Sequence, residues 1–258
     1  MKKALITGAS SGIGREFAVQ LAAQGYAITA VARRAALLET LVAELPGEGH
    51  GFIVADLART QDLERVAGCL QHTQYQLLVN NAGYSTFEPF YAGQLQSQKD
   101  MLAVNCGAVV HLAHAFLGQA RAGDALINLA SVVSFLPTPA QPMYSASKAF
   151  IASLSKCLWE EQRRRNVYVM GLCPGITQTE FIATATGGQA DGGSLPAALT
   201  QSAAQVVAEA LRALGKRRQA LVVTGRANRL MVALMPRLLS QQGLLRLLAL
   251  VGDPEKAL

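Results

Sequence analysis

The sequence predicts an α/β domain built on a parallel sheet with helices on both faces. Three observations carry that prediction. The chain has 258 residues and is 51% hydrophobic, enough for one large core. Short continuous apolar runs alternate with amphipathic stretches, the pattern of strands buried on both sides between crossover helices. Thr7, Asp56, Asn80, Ser131 and Pro174 each follow or close an apolar run, and ligands of such sheets bind beyond the carboxyl ends of the strands.

The elements follow in order. Residues 4–7 read as a strand and 13–24 as a helix, with Gly25 as its stop. A strand over 27–32 leads to a helix over 35–45, ended by Pro46 and Gly47. A strand over 52–55 closes at Asp56, a helix follows over 60–70, and a strand over 77–79 closes at Asn80. A long helix covers 95–119, then a strand 125–129, a helix 143–165 and a strand 167–172. A helix over 202–214 precedes a last strand at 221–223. Residues 1–225 are expected to form one domain, which the motifs below mark as a dinucleotide-binding catalytic domain, and 226–258 a C-terminal helical extension of that same domain.

Composition narrows the class further. Cys69, Cys106, Cys157 and Cys173 show no paired spacing and read as reduced, mostly buried thiols of a cytoplasmic protein. No metal site is expected: His111 and His114 share a helix face, but packing explains them better than zinc. Met1–Ile6 resembles the start of a signal peptide, yet the apolar stretch stops at Thr7 and is read as the first strand. No uninterrupted apolar run approaches the ~18 residues of a membrane span. The net charge of +6 is uneven: Ala210 to Gly252 holds eight Lys and Arg and no Asp or Glu.

Gly8, Gly12 and Gly14 span the first strand–helix turn, with Ser10, Ser11 and Ile13 between them. Such a turn lets the backbone approach a pyrophosphate at the helix N-terminus. The second strand ends Ala32-Arg33-Arg34, without the acidic residue that would bind the ribose hydroxyls of NAD. Arg33 and Arg34 suit the 2′-phosphate of NADP, which is favoured over NAD. Asp56 and Leu57 then border the adenine; otherwise Asp56 caps the next helix.

Tyr144 stands thirteen residues after Ser131 and four before Lys148. Residues i and i+4 share a helix face. A neighbouring ammonium is expected to lower the pKa of the phenol, so that Tyr144 exchanges a proton with a substrate oxygen that Ser131 positions. Lys148 is also placed to hold a nicotinamide ribose. The Tyr-x-x-x-Lys spacing alone arises often by chance.

In combination, Thr7-Gly8-x-x-x-Gly12-x-Gly14, Asn80-Asn81-Ala82-Gly83, Asn105, Ser131, Tyr144-x-x-x-Lys148 and Pro174-Gly175 resemble the short-chain dehydrogenase/reductase family in its ordinary-length branch. The resemblance covers about residues 2–225. It implies a Rossmann-type, doubly wound parallel sheet of about seven strands. It implies Asn105, Ser131, Tyr144 and Lys148 as a catalytic tetrad, with Asn105 holding a water that relays protons from Lys148. Asn81, Ala82 and Gly83 would lie along the cofactor, and Pro174, Gly175, Thr177 and Thr179 would orient the nicotinamide carboxamide. The alternative for Asn105 is a residue that kinks the helix through a backbone bond. The extended-length relatives, with a differently spaced glycine turn and a large C-terminal substrate domain, fit less well.

The expected substrate is an apolar ketone or aldehyde, or its alcohol, because Val132, Val133, Phe135, Leu136, Pro139, Met143, Phe181 and Ile182 flank the centre. About half of these are expected to pack beneath the loop instead. The segment 184–194 reads as a lid. The rival class is an NADPH-binding regulatory or scaffold protein without turnover; the complete tetrad argues against it. In the extension, Leu230, Leu234 and Leu238 form one line and Met231, Met235 and Leu239 the next, and Pro236 should kink or divide the helix. Packing on its own subunit or across a homo-oligomer is preferred for this segment. Peripheral contact with an anionic membrane is the second reading. Nucleic acid is not expected, since the arginines alternate with large aliphatics and lack aromatic stacking partners.

Overall fold

A computed structural model describes residues 1–86, 90–179 and 200–251. Among these are nine strands: β1 (Lys2–Thr7), β2 (Tyr26–Ala32), β3 (Gly51–Val54), β4 (Leu77–Asn80), β5 (Ala125–Leu129), β6 (Tyr168–Cys173), β7 (Ile176–Gln178), β8 (Thr200–Ser202) and β9 (Leu221–Val223). The helices are α1 (Gly12–Ala22), α2 (Ala35–Glu44), α3 (Thr60–His72), α4 (Leu95–Leu102), α5 (Val109–Gln119), α6 (Pro142–Glu161), α7 (Ala203–Lys216), α8 (Arg226–Leu238) and α9 (Gln241–Val251).

Seven strands form one sheet in the order β3-β2-β1-β4-β5-β6-β9, and every pairing is parallel. This is the doubly wound Rossmann-type sheet. Strand order reverses between β1 and β4, which opens a crevice at their carboxyl ends. Side chains alternate across the sheet, as a two-residue period requires. Ala4 and Ile6 join Phe17, Leu21 and Val206 on one face. Leu5 joins Val66, Leu70, Leu112 and Phe116 on the other.

The long helix over 95–119 is not uniform. A π-helical segment, Ala103–Ala108, interrupts it between α4 and α5. Such a segment lodges one extra residue in the helix and commonly marks a functional position; here it carries Asn105. An 18-residue window within this stretch reaches a mean hydropathy of 1.5, apolar enough by composition to cross a membrane. It is largely buried, and Leu112, Ala113 and Phe116 belong to the core, which accounts for that apolarity.

Helix α6 begins with Pro142 in its first turn and ends at Glu161 rather than Arg165. A 3-10 turn over Gln162–Arg165 follows and is closed by Asn166 in the left-handed region, φ 53°. Arg165 serves a neighbouring helix: its guanidinium donates to Leu117 O at 2.9 Å and Ala120 O at 3.0 Å, satisfying carbonyls at the C-terminal end of α5. Ser202 and Gln205 form a reciprocal capping box at the start of α7. Strands β7 and β8 make a small parallel ladder, Ile176 opposite Thr200, that sequence reading did not foresee. They have three residues each, too short for a periodic signal.

The expectation of mostly buried cysteines is corrected in part. Cys106 and Cys173 are buried, but Cys157 is exposed and Cys69 is intermediate. The basic C-terminal stretch is not one surface, because β9 divides it. Arg217 lines a cleft with Lys2, Gln76 and Gly123 near the amino ends of the strands, whereas Arg226 begins α8 at the carboxyl end of β9. Pro236 lies inside α8, which stops two residues later before α9 starts.

Candidate active site

The first turn is shaped by what cannot fit there. Gly8 and Gly12 have φ of 67° and 54°, a region that disfavours any β-carbon. A β-carbon on Gly14 would stand 2.3 Å from Gly8 O, so α1 approaches β1 closer than any other residue permits. Ser11 precedes α1 without a side-chain cap bond, leaving the first amides of the helix to a ligand. Ile13 packs on the core.

The Asn81-Ala82-Gly83 segment is stitched to this turn. The buried Thr7 hydroxyl accepts from Asn81 N and Ala82 N, each at 3.0 Å. Asn81 Nδ2 donates to Thr7 O at 2.9 Å and Gly8 O at 3.2 Å. Thr179, at the far side of the crevice, also reaches the turn: a β-carbon on Gly12 would lie 3.1 Å from its Cγ2.

Arg33 and Arg34 are both exposed at the carboxyl end of β2. Arg34 folds over the turn, with its Nε 3.3 Å and an Nη 3.1 Å from Ser10 Oγ. Asp56 Oδ1 accepts from Ala58 N at 3.1 Å, so the carboxylate closes the turn before α3 rather than capping that helix, whose cap residue is Arg59. Leu57 is buried. Tyr84, unnoticed in the sequence, joins this rim. Burial pushes its phenol pKa up, Asp100 adds to the rise, and Arg33 opposes it while Asp56 reinforces it.

The four proposed catalytic residues converge from the π-helical segment (Asn105), the end of β5 (Ser131) and α6 (Tyr144 and Lys148). The Ser131 hydroxyl accepts from Val133 N at 3.3 Å and hydrogen-bonds the Tyr144 phenol. Lys148 Nζ lies 5.5 Å from the Tyr144 ring centroid and donates to Leu129 O at 2.7 Å. Lys148 is buried, and desolvation lowers its pKa to about 8, with Cys106 and Cys173 opposing the fall. The expected lowering of the phenol pKa is overturned. Burial dominates and pushes Tyr144 up to about 12, and the Ser131 bond recovers only part of that. Tyr144 is therefore a neutral proton donor here.

Asn105 is fully buried. Its Nδ2 donates to Tyr84 O at 2.9 Å and Ser147 Oγ at 3.2 Å, and its Oδ1 accepts from Tyr84 N at 3.1 Å. Both amide hydrogens are thus committed, one to the Tyr84 backbone and one to the Ser147 hydroxyl, and one lone pair of Oδ1 is left. A β-carbon on Gly83 would stand 2.9 Å from that oxygen and 3.5 Å from Lys148 Nζ, so Gly83 is what lets the two groups share one space.

Beside Tyr144 a cleft is lined by Thr86, Phe90, Gln98, Met101, Gln141, Pro142 and Met143. Of the apolar residues expected to flank the substrate, Met143 is the only one among the described residues that lines it. Leu136 is buried, and Phe135 packs against Val109 and Ile151. Phe181, Ile182 and the segment 184–194 lie outside the described residues. The Nε2 of Gln141 is buried without a hydrogen-bond partner. Its place three residues before Tyr144 was the only sequence signal that could have marked it.

On the nicotinamide side, Thr177 Oγ1 donates to Gly175 O at 3.1 Å and Thr179 Oγ1 to Thr177 O at 3.4 Å. Gly175 packs directly on the C-terminal extension. A β-carbon there would stand 2.3 Å from Asn228 Nδ2, which donates to Thr224 O at 3.0 Å. Glu209 ties the same corner together: it accepts from Gln201 Nε2 at 3.1 Å and Gly225 N at 3.3 Å, and pairs with Arg229 at 2.8 Å.

The parallel sheet and the arrangement of residues around its crevice both match one family of proteins. The chain belongs to the short-chain dehydrogenase/reductase family: the family model described as short chain dehydrogenase matches residues 2–189. It is 33% identical to a sulfoacetaldehyde reductase of Chromohalobacter salexigens, over 79% of this chain and 84% of that one. It is 32% identical to a very-long-chain 3-oxoacyl-CoA reductase of Pyrenophora tritici-repentis over 70% of this chain, but spans only 55% of that longer protein. Among solved structures, a short-chain dehydrogenase of Sphingobium yanoikuyae in complex with NADPH superposes with a TM-score of 0.79 and 30% identity, covering 86% of this chain and 87% of its own. A bulky-bulky ketone specific alcohol dehydrogenase of Comamonas testosteroni gives 0.74 and 29%, covering 86% of each.

Proposed function

We propose that the protein is an NADP(H)-dependent reductase of an apolar ketone or aldehyde borne by a lipid-like substrate. The observation that carries this reading is a neutral Tyr144 hydroxyl, bonded to Ser131 and backed by Lys148, beside a cleft where Phe90, Met101, Pro142 and Met143 stand among Thr86, Gln98 and Gln141. The glycine turn fits a dinucleotide because it leaves no room for a β-carbon and presents unpaired helix amides. Gly8, Ser10, Ser11, Gly12, Ile13 and Gly14 hold the pyrophosphate, and Asp56 and Leu57 border the adenine. Arg33 and Arg34 take the 2′-phosphate. Asn81, Ala82, Gly83, Pro174, Gly175, Thr177 and Thr179 frame the nicotinamide end. When bound, the reduced cofactor supplies hydride to the carbonyl carbon. Ser131 orients the carbonyl oxygen, and Tyr144 gives it a proton. The Lys148 ammonium stabilises the resulting phenolate. Asn105, through its remaining lone pair, supports proton return to Lys148.

NADPH oxidation against carbonyl compounds graded by chain length tests this reading, with NADH as the comparison. Activity is expected to rise with apolar length and to prefer NADPH. Replacing Arg33 and Arg34 together by Ser should raise the KM for NADPH about 10–100-fold, the loss of charge-assisted phosphate bonds worth about 1.5–3 kcal/mol, and leave the KM for NADH nearly unchanged. Equal KM changes for both cofactors would remove the arginines from cofactor choice. Absence of turnover with tight NADPH binding would favour the sensor class instead.

The unpartnered donor of Gln141 refines the substrate. A buried amide without a partner costs about 1–3 kcal/mol, so it suits a substrate with a second oxygen near the reacting carbonyl, as in a 3-oxoacyl group. Gln141→Leu is expected to preserve or slightly raise stability. It should also raise the KM for a 3-oxoacyl thioester about tenfold, relative to a simple ketone of equal length. Equal KM changes for the two substrates would count against this placement.

A further inference from the structure

The sequence left the extension divided between packing and a membrane role, and α8 itself separates the two. Its inward side carries Asn228, Met231, Val232 and Met235, all buried or half-buried. Its outward side carries Leu230, Leu234 and Leu238, which are 61%, 41% and 75% exposed, interleaved with exposed Arg226 and Arg237. Helix α9 repeats the arrangement: Leu244 is buried, while Arg246 and Leu247 are exposed. Packing on the subunit therefore uses the methionine line and leaves the leucine line uncovered.

The charge of this face selects its occupant. No Asp or Glu occurs from Ala210 to Gly252. Arg229 is neutralised by Glu209, but Arg226, Arg237 and Arg246 form no ion pair among the described residues. A second copy docked on this face by two-fold symmetry would set arginine against arginine. An acidic apolar boundary is the complement instead. Leucines at a helical spacing with arginines among them match a helix lying in the headgroup region, with aliphatic tips below and guanidinium groups at the phosphates.

The geometry points to a membrane-docking surface: the outer face of α8 and α9 seats this protein on a bilayer that bears anionic phospholipids. Helix α8 leaves the carboxyl end of β9, the same end of the sheet as Ser131 and Tyr144. The inference rests on the leucine and arginine face alone and stands whether or not the reductase reading holds.

The test is flotation of the full chain with phosphatidylcholine vesicles made with and without phosphatidylglycerol. Binding is expected only with phosphatidylglycerol, and it should weaken as salt is raised. Joint replacement of Leu230, Leu234 and Leu238 by Ser should abolish it, and Arg226→Gln with Arg237→Gln should weaken it about fivefold per charge. Unchanged melting temperature and NADPH binding of these variants establish that they are folded. A wild-type chain that does not float with phosphatidylglycerol vesicles overturns the proposal, as does a triple serine variant that floats as well as wild type. If wild type fails to float and the serine variant alone loses sedimenting mass, the face joins copies of the chain and the membrane role is overturned.

Discussion

Tyr144→Phe is expected to lower carbonyl reduction by about 10²–10⁴-fold, the range removed with a positioned general acid. The substitution deletes one oxygen from a half-buried ring and leaves the glycine turn and Lys148 untouched. Affinity for NADPH should therefore stay within about twofold, since no charge-assisted contact is lost. Burial has already set this phenol near 12 without ligand, so the wild-type group stays protonated across the neutral range and the variant has no replacement donor. Single-turnover rates with pre-bound NADPH are the direct measurement. A variant that retains full turnover would transfer the proton to another group and dissolve the proposed roles of Ser131 and Lys148.

Lys148→Met should be comparably inactive, and it carries a second signature in stability. The native ammonium titrates at about 8, against 10.5 for an unburied lysine. Below pH 8 both folded and unfolded chains carry the charge, and the folded state bears the full cost of burying it. Between about 8 and 10.5 the unfolded chain binds the additional proton, so wild-type stability rises with pH, by at most about 3 kcal/mol. The methionine variant lacks this rise. The buried phenol acts in the opposite sense above pH 10, where the unfolded chain loses its tyrosine protons first. Urea unfolding between pH 7.5 and 10 (about two to three units of range), followed at the single tryptophan Trp159, separates wild type from variant. Parallel curves for the two chains would mean that Lys148 is not titrating in that window.

The sheet was legible because its central strands β4, β5 and β6 are buried on both faces and all seven strands, the exposed edge strand β3 included, read as short apolar runs; the seven runs seen in the sequence are the seven strands of the sheet. The residues proposed for chemistry were legible through spacing along single elements, as with Tyr144 and Lys148 on α6. What spacing does not convey is enclosure. The direction of the Tyr144 pKa was misjudged because a neighbouring cation is visible in sequence, whereas desolvation arises from residues distant along the chain. The cleft residues were missed for the same reason: Thr86, Met101 and Gln141 come from three separate segments. The π-helical segment leaves no imprint, since one inserted residue does not disturb the apolar pattern of 95–119. Asn228 gave no signal because its partner, Gly175, lies over fifty residues away.

That last contact governs how the extension behaves mechanically. Asn228 presses its amide on the backbone of Gly175, with no compressible side chain between them, and packed interiors of this kind yield very little. A tilt of the first turn of α8 is therefore expected to reach Ile176 and Thr177, so that a force applied to α8 would be felt where the chain turns past the end of β6.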